Sequence, residues 1–77
     1  MTKRRLINKK AYEEILLLEE LLPGDESNAY IVSIQVFHGK TESFVVDHYL
    51  NDEIKAQIVG ENYTIISKMI IGYLSKL

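Results

Sequence analysis

Apolar residues recur with two different periods along the chain, and the period changes at "PG", residues 23–24. Before this break the spacing is helical, and four apolar residues fall on one narrow stripe: Ala11, Ile15, Leu18 and Leu22. Asn8 is a suitable N-cap, because its side-chain oxygen can accept a backbone N–H one turn further on. The pattern therefore predicts a first helix that begins at Asn8 and ends before Pro23–Gly24.

After the break the period is two, which is typical of strands. "AYIVSIQVF" and "ESFVVDHYL" alternate, and the "HGKT" between them contains Gly39, which can adopt the positive φ of a tight turn. These segments predict a hairpin. "EIKAQIV" predicts a third antiparallel strand, although a short helix is an alternative because Ile54 and Ile58 are also four residues apart.

The last segment, "YTIISKMIIGYLSKL", is rich in isoleucine but follows a helical period. Its apolar residues gather on about half of a helix circumference: Ile65, Ile66, Met69, Ile70, Tyr73, Leu74 and Leu77. Asn62 offers an N-cap after Gly60. The predicted fold is a single small α+β domain in the order helix, three-stranded antiparallel meander, helix (αβββα), with both helices on one face of the sheet.

The chain has more apolar positions than this arrangement can bury. On the first helix, Tyr12, Leu16, Leu17 and Leu21 lie outside the stripe. On the hairpin, we expect the sheet face away from the helices to carry Ile31, Phe37, Phe44, Val46 and Leu50. Exposed apolar patches of this kind mark protein interfaces, so these nine residues are the predicted protein-interaction site and a homodimer is expected.

Charge is distributed unevenly. Five of the nine basic residues lie in the first ten positions: Lys3, Arg4, Arg5, Lys9 and Lys10. All eleven acidic residues lie between Ala11 and Tyr63, which gives that stretch a formal charge of −9. We therefore divide the chain into a basic arm, residues 1–8, and a domain, residues 9–77. The arm is either a solvated terminus or a contact for nucleic acid or an acidic partner.

Candidate chemistry is sparse. Without cysteine, neither a disulfide nor a thiolate metal site is possible. His38 falls in the predicted turn, whereas Asp47 and His48 are strand neighbours that point to opposite faces; we expect His48 on a sheet face, hydrogen-bonded or in contact with water. No catalytic, cofactor or metal site is predicted, and we expect a protein that is not an enzyme.

The expected location is the cytoplasm. Glutamates interrupt "AYEEILLLEELL", the only candidate for the apolar part of a signal peptide. No run approaches the roughly 20 apolar residues that span a bilayer, so no membrane contact is expected.

The predicted order of elements is similar to that of the double-stranded RNA-binding domain, whose hairpin loop and second-helix start contact the RNA backbone. The resemblance lies in the topology. In place of the family's Pro-His type loop and basic cluster, this chain has "FHGKTE", with His38 and Lys40, and "ENYTIISK".

Two functions follow as hypotheses. The first is a small non-enzymatic interaction module, a regulator, inhibitor or adaptor that binds a larger protein, self-associates, or both; phage proteins directed against host enzymes include small acidic examples. The alternative is a nucleic-acid binding protein that uses the basic arm. Its predicted contact residues are Lys3, Arg4, Arg5, Lys9, Lys10 and Lys40.

Overall fold

The predicted order of elements is confirmed by the computed structural model, which describes residues 9–36 and 42–77. The elements are α1 (Lys9–Leu21), β1 (Asn28–Val36), β2 (Glu42–Leu50), β3 (Glu53–Gly60) and α2 (Tyr63–Leu74). The basic arm, the proposed Asn8 cap, Phe37 at the end of the predicted first strand, and the predicted turn with His38 and Lys40 lie outside the described residues.

The sheet is antiparallel in the order β1-β2-β3, so β2 is central. In its register Phe44 lies between Ile34 and Gly60, and Val46 lies between Val32 and Ile58. The third segment is therefore a strand, and the short-helix alternative is wrong. Asn51 and Asp52 both adopt positive φ, 54° and 69°. Two such residues form the tight hairpin turn whose twist matches that of the flanking strands.

The core lies between one face of the sheet and the two helices. Its fully or nearly buried members are Leu18, Phe44, Val46, Ile58, Ile66 and Ile70. α1 packs on β1, α2 packs on β3, and the two helices touch each other. The predicted stripe of α1 is confirmed as the inward side, because Leu18 is fully buried and Ile15 and Leu22 pack against the core.

The start of α2 lies unusually close to the end of β3. The Asn62 side chain caps the helix, since its Oδ1 accepts the backbone N–H of Ile65 at 2.9 Å. A Cβ placed on Gly60 would lie 2.8 Å from the Cα of Ile66. Only glycine allows this approach, so Gly60 is more than the break in pattern that the sequence indicates.

The apolar arc of α2 is narrower than predicted. Ile66 and Ile70 are buried and Tyr73 and Leu74 half-buried, but Ile65, Met69 and Leu77 are exposed. α2 packs on β3 and against α1, and a helix at the surface of a globular protein turns an apolar stripe of roughly 100° towards the core, whereas the predicted arc covered half of the circumference. Within residues 9–36 and 42–77, neither helix is long and apolar enough to cross a membrane.

Candidate interaction surface

The outward side of α1 carries exposed apolar side chains, as the sequence predicted. Tyr12 is 56% exposed, and the other three are between 37% and 46% exposed: Leu16, Leu17 and Leu21. Their exposure follows from the two-layer architecture, because α1 has the sheet beneath it and, in the part of the chain that the structure describes, no third layer above.

These four residues form two flanks on either side of the buried stripe. By helical spacing Tyr12 and Leu16 share one flank with Glu19, whereas Leu17 and Leu21 share the other with Glu14. Two grooves show which way each flank faces. The first is lined by Lys10, Ala11, Glu14, Ile34, Glu42, Ser43, Phe44, Glu61, Asn62 and Tyr63. Since it joins Glu14 to the start of α2, the Leu17–Leu21 flank faces α2.

The second groove is lined by Glu19, Leu22, Gly24 and Tyr30. It joins the flank of Tyr12 and Leu16 to β1, which is an edge strand. The two grooves also give the direction of α1: its first turn lies near Ile34, and its last turn lies near Tyr30. α1 therefore runs antiparallel to β1, with Tyr12 and Leu16 along the outer edge of β1, which pairs with no further strand within residues 9–36 and 42–77.

The sheet face away from the helices differs from the prediction. Phe44 is 7% exposed and Val46 is fully buried, and both pack in the core with the helices. Their placement on an open face is wrong, and Leu50, which alternates in phase with them on β2, is half-buried. Ile31 was predicted to share their face, but it pairs with Asp47 and so lies on the opposite side, where it is 52% exposed. The sequence pattern of β2 is apolar on both faces, so alternation alone did not show which face the helices cover.

The sheet face away from the helices is a mixture of polar and apolar rows. One row pairs Ser33, Val45 and Val59, and the next pairs Ile31, Asp47 and Gln57. Gln57 donates a hydrogen bond to the Asp47 carboxylate at 2.8 Å. Val45 is nonetheless fully buried. This face is more polar than the sequence suggested.

Further exposed apolar residues were missed by the sequence prediction. They include Val36 on β1, Ile54 and Val59 on β3, and Ile65, Met69 and Ile71 on α2. Ile71 was recognisable, because it alone fell outside the apolar arc of the last helix. Ile65 and Met69 lay inside that arc and gave no signal of exposure.

A buried polar network closes one end of the core, and His48 is its centre. The imidazole is 1% exposed and stacks on Tyr30, with ring centroids 4.3 Å apart and planes 14° from parallel. Nδ1 lies 2.6 Å from the Tyr73 hydroxyl, and Nε2 lies 2.7 Å from Oδ1 of Asn28. The expectation of a hydrogen-bonded His48 is confirmed, and the ring is shielded from water.

The loop before β1 fixes the direction of these hydrogen bonds. Asp25 accepts the backbone N–H groups of Ser27 and Asn28, both at 2.8 Å. It also accepts the side-chain amide of Asn28, at 3.1 Å. The amide oxygen of Asn28 therefore faces His48 and accepts its Nε2–H. His48 is neutral in this arrangement, and its bare Nδ1 accepts the Tyr73 hydroxyl proton.

Electrostatics agree with a neutral imidazole. Burial lowers the pKa of His48, and the positive charge of Lys55 lowers it further, while Asp25 partly opposes them. Burial likewise raises the pKa of the Tyr30 hydroxyl, with smaller contributions from Tyr73 and Asp25. Hydrogen bonds from Asn28 and Ser27 lower the pKa of Asp25. Each group is held in the protonation state that its partners require.

This network does not offer a reactive centre. Both ring nitrogens of His48 are occupied, and the ring has no exposed edge for a substrate or metal ion. Across residues 9–36 and 42–77, no three His, Asp or Glu side chains are close enough to hold a metal ion together. The geometry is that of a structural histidine that satisfies a buried polar cluster.

Of the residues predicted to bind nucleic acid, the structure describes two. Lys9 and Lys10 lie in the first turn of α1, and both are exposed. Lys3, Arg4, Arg5 and Lys40 lie outside the described residues. Comparison of the chain with protein-family models, with curated proteins and with solved structures finds no match.

Proposed function

We propose that this protein is a small, non-enzymatic interaction module that binds a larger protein and also associates with itself. The observation that carries the proposal is the outward side of α1, where four large apolar side chains are exposed although the inward stripe already packs on the sheet. Burial of apolar surface contributes about 25 cal/mol per Å², so a partner that covers these side chains is favoured.

The charge around this surface indicates the chemistry of the larger partner. α1 carries four glutamates, Glu13, Glu14, Glu19 and Glu20, and all but the half-buried Glu14 are exposed. A complementary site is an apolar groove with a basic rim, which would receive α1 as an amphipathic helix. Binding of this kind suits a regulator, an inhibitor or an adaptor.

The larger partner is expected on the Leu17–Leu21 flank. The test immobilises the protein and passes a lysate of the source organism over it, with and without nuclease. The Leu17→Glu/Leu21→Glu variant should lose the protein that the wild type retains, because charge now occupies the apolar contact. Ile65→Glu is the matched control: Ile65 is exposed to a similar extent but lies on α2, so retention should persist.

Equal retention by both variants would contradict a role for α1. If the wild type retained no protein and also stayed monomeric, the whole proposal would fail.

Nucleic-acid binding is the second proposal, and the exposed Lys9 and Lys10 support it because they extend the basic arm into α1. It expects weak, salt-sensitive binding that the Lys3→Ala/Arg4→Ala/Arg5→Ala variant removes, with the salt slope falling by about one for each lost phosphate contact. Fluorescence anisotropy with labelled RNA and DNA measures this. If the triple substitution left the affinity unchanged, the basic arm would not be the nucleic-acid contact.

A further inference from the structure

The two edges of the sheet are protected to very different degrees. β3 carries Glu53 and Lys55, and its pairing with β2 is irregular between His48 and Tyr49. Charges and irregular pairing are the usual means by which proteins prevent an edge strand from pairing with another chain. β1 has neither: its nine residues, "NAYIVSIQV", include no charge and no proline, and its pairing with β2 is regular throughout.

α1 presents a second feature along the same edge. Lys9, Tyr12, Leu16 and Glu19 follow one another at intervals of three, four and three residues, which places them on a single side of the helix. This side faces the edge of β1, because Glu19 and Tyr30 line the same groove. The stripe has a basic end, an apolar middle and an acidic end.

The stripe is complementary to itself when reversed. If a second α1 lies alongside in the antiparallel direction, Lys9 faces the partner's Glu19, and Tyr12 faces the partner's Leu16. The Lys9–Glu19 contact and the Tyr12–Leu16 contact each occur twice, related by a two-fold axis, as an isologous dimer requires. The axis passes level with Glu14, at the middle of the stripe.

The same axis also suits the strand. Lys10, Ala11 and Glu14 line one groove with Ile34, and Glu19 lines the other with Tyr30, so the middle of the stripe lies between these two levels, nearer to Ile34. A two-fold axis that passes beside Ile34 would place Val32 of one β1 opposite Val36 of the other, in the antiparallel direction. One two-fold axis can therefore relate both the pair of α1 helices and the pair of β1 strands.

We propose that a second copy of this chain docks on the outer edge of β1, where the two three-stranded sheets join into one sheet of six strands and the two α1 helices pack side by side. The proposal deepens the self-association part of the proposed function. It leaves the Leu17–Leu21 flank for the larger protein. Stable dimers bury about 1,200–2,000 Å² in total, and strand pairing combined with helix packing supplies two contact layers.

Sedimentation equilibrium over a range of concentrations tests the dimer. The wild type should associate to dimers, and Leu16→Glu should be monomeric while its circular dichroism spectrum stays unchanged, because Leu16 is outside the core. A monomeric wild type, or a Leu16→Glu variant that dimerises as well as the wild type, would overturn the proposal.

Charge reversal tests the antiparallel arrangement directly. Lys9→Glu places two glutamates opposite each other, and Glu19→Lys places two lysines opposite each other, so each variant alone should dimerise about tenfold more weakly. Mixing the two variants should restore affinity, because the heterodimer again places a carboxylate opposite an ammonium group at both ends of the stripe. Equal weakness in the mixture would contradict the proposed pairing.

Hydrogen exchange of β1 amides distinguishes strand docking from contact through the helices alone. In the wild type, the outward N–H groups of β1 should be protected in a concentration-dependent way, and in Leu16→Glu they should exchange quickly. Protection that does not depend on concentration would overturn the strand contact. The lysate experiment on Leu17→Glu/Leu21→Glu is independent, so either proposal can fail while the other stands.

Discussion

The two ends of the core are closed by different means. At one end, β3 and α2 meet through close apolar contact, where Gly60 lies against the backbone of Ile66 beside Phe44. At the other end, a neutral His48 is enclosed by Tyr30, Tyr73 and Asn28. The first end depends on shape and the second on hydrogen bonds, so one small core should respond to added volume at one end and to lost polar partners at the other.

The largest effect is expected at the apolar end. Gly60→Ala places a Cβ within 2.8–2.9 Å of the Ile66 backbone, so α2 must move away from β3. We expect a loss of about 2–3 kcal/mol in the free energy of unfolding, within the range of overpacked cores. Urea denaturation measures it.

Gly72→Ala is the matched control, because a Cβ there meets open space in the middle of α2. It should stabilise the protein by about 0.5–1 kcal/mol, since alanine favours a helix more than glycine does. Equal effects of the two substitutions would show that the approach of α2 to β3 is looser than described.

A smaller effect is expected at the polar end. Tyr73→Phe keeps the ring but removes the hydroxyl that donates to Nδ1 of His48. A buried acceptor left without a partner costs about 1–2 kcal/mol, which a urea titration would detect. Tyr12→Phe is the control, because Tyr12 is exposed and its hydroxyl has water available; it should change stability little. A loss in the control as large as in Tyr73→Phe would contradict the role of the network.

The smallest effect is a dependence on pH that only the polar end should show. Burial holds the pKa of His48 below its ordinary value of 6.5. Below about pH 6.5 the unfolded chain therefore binds a proton that the folded protein excludes. The free energy of unfolding is therefore highest, as far as His48 is concerned, above pH 6.5. It decreases as the pH falls from 6.5 towards the pKa of His48 in the folded protein.

Urea midpoints between pH 8 and pH 4.5, compared for wild type and His48→Leu, isolate this contribution. The wild type should lose more stability than the variant over the acidic part of the range. If the urea midpoints of wild type and variant changed with pH in parallel, folding would not lower the pKa of His48.

The fold was readable from the sequence because local periods and breaks coincide with the elements. "PG" ends α1, Asn62 caps α2, and alternation marks β1 and β2. The helical period of α2 prevailed over the strand propensity of its isoleucines, as expected when tertiary packing supports a helix. Even the ambiguous segment from Glu53 became a strand, because β2 provides it with an antiparallel partner.

The candidate site was predictable only in part. The exposure of Tyr12, Leu16, Leu17 and Leu21 followed from helical geometry, since one stripe cannot include all apolar positions. Phe44 and Val46 were assigned to the wrong face because β2 is apolar on both sides. Ile31 is exposed on the sheet face away from the helices, as expected, but Phe44 and Val46 lie on the other face.

The sequence by itself determined the order of elements, the inward stripe of α1 and the excess of apolar residues on its outer side, because each depends on residues that are near one another in the chain. Only the tertiary structure decided which sheet face the helices cover, that Gly60 touches Ile66, and that Asn28, His48 and Tyr73 form one network. The network joins residues that are 20 and 25 positions apart, and the contact of Gly60 depends on how α2 packs against β3; no local period encodes which elements pack together or on which face.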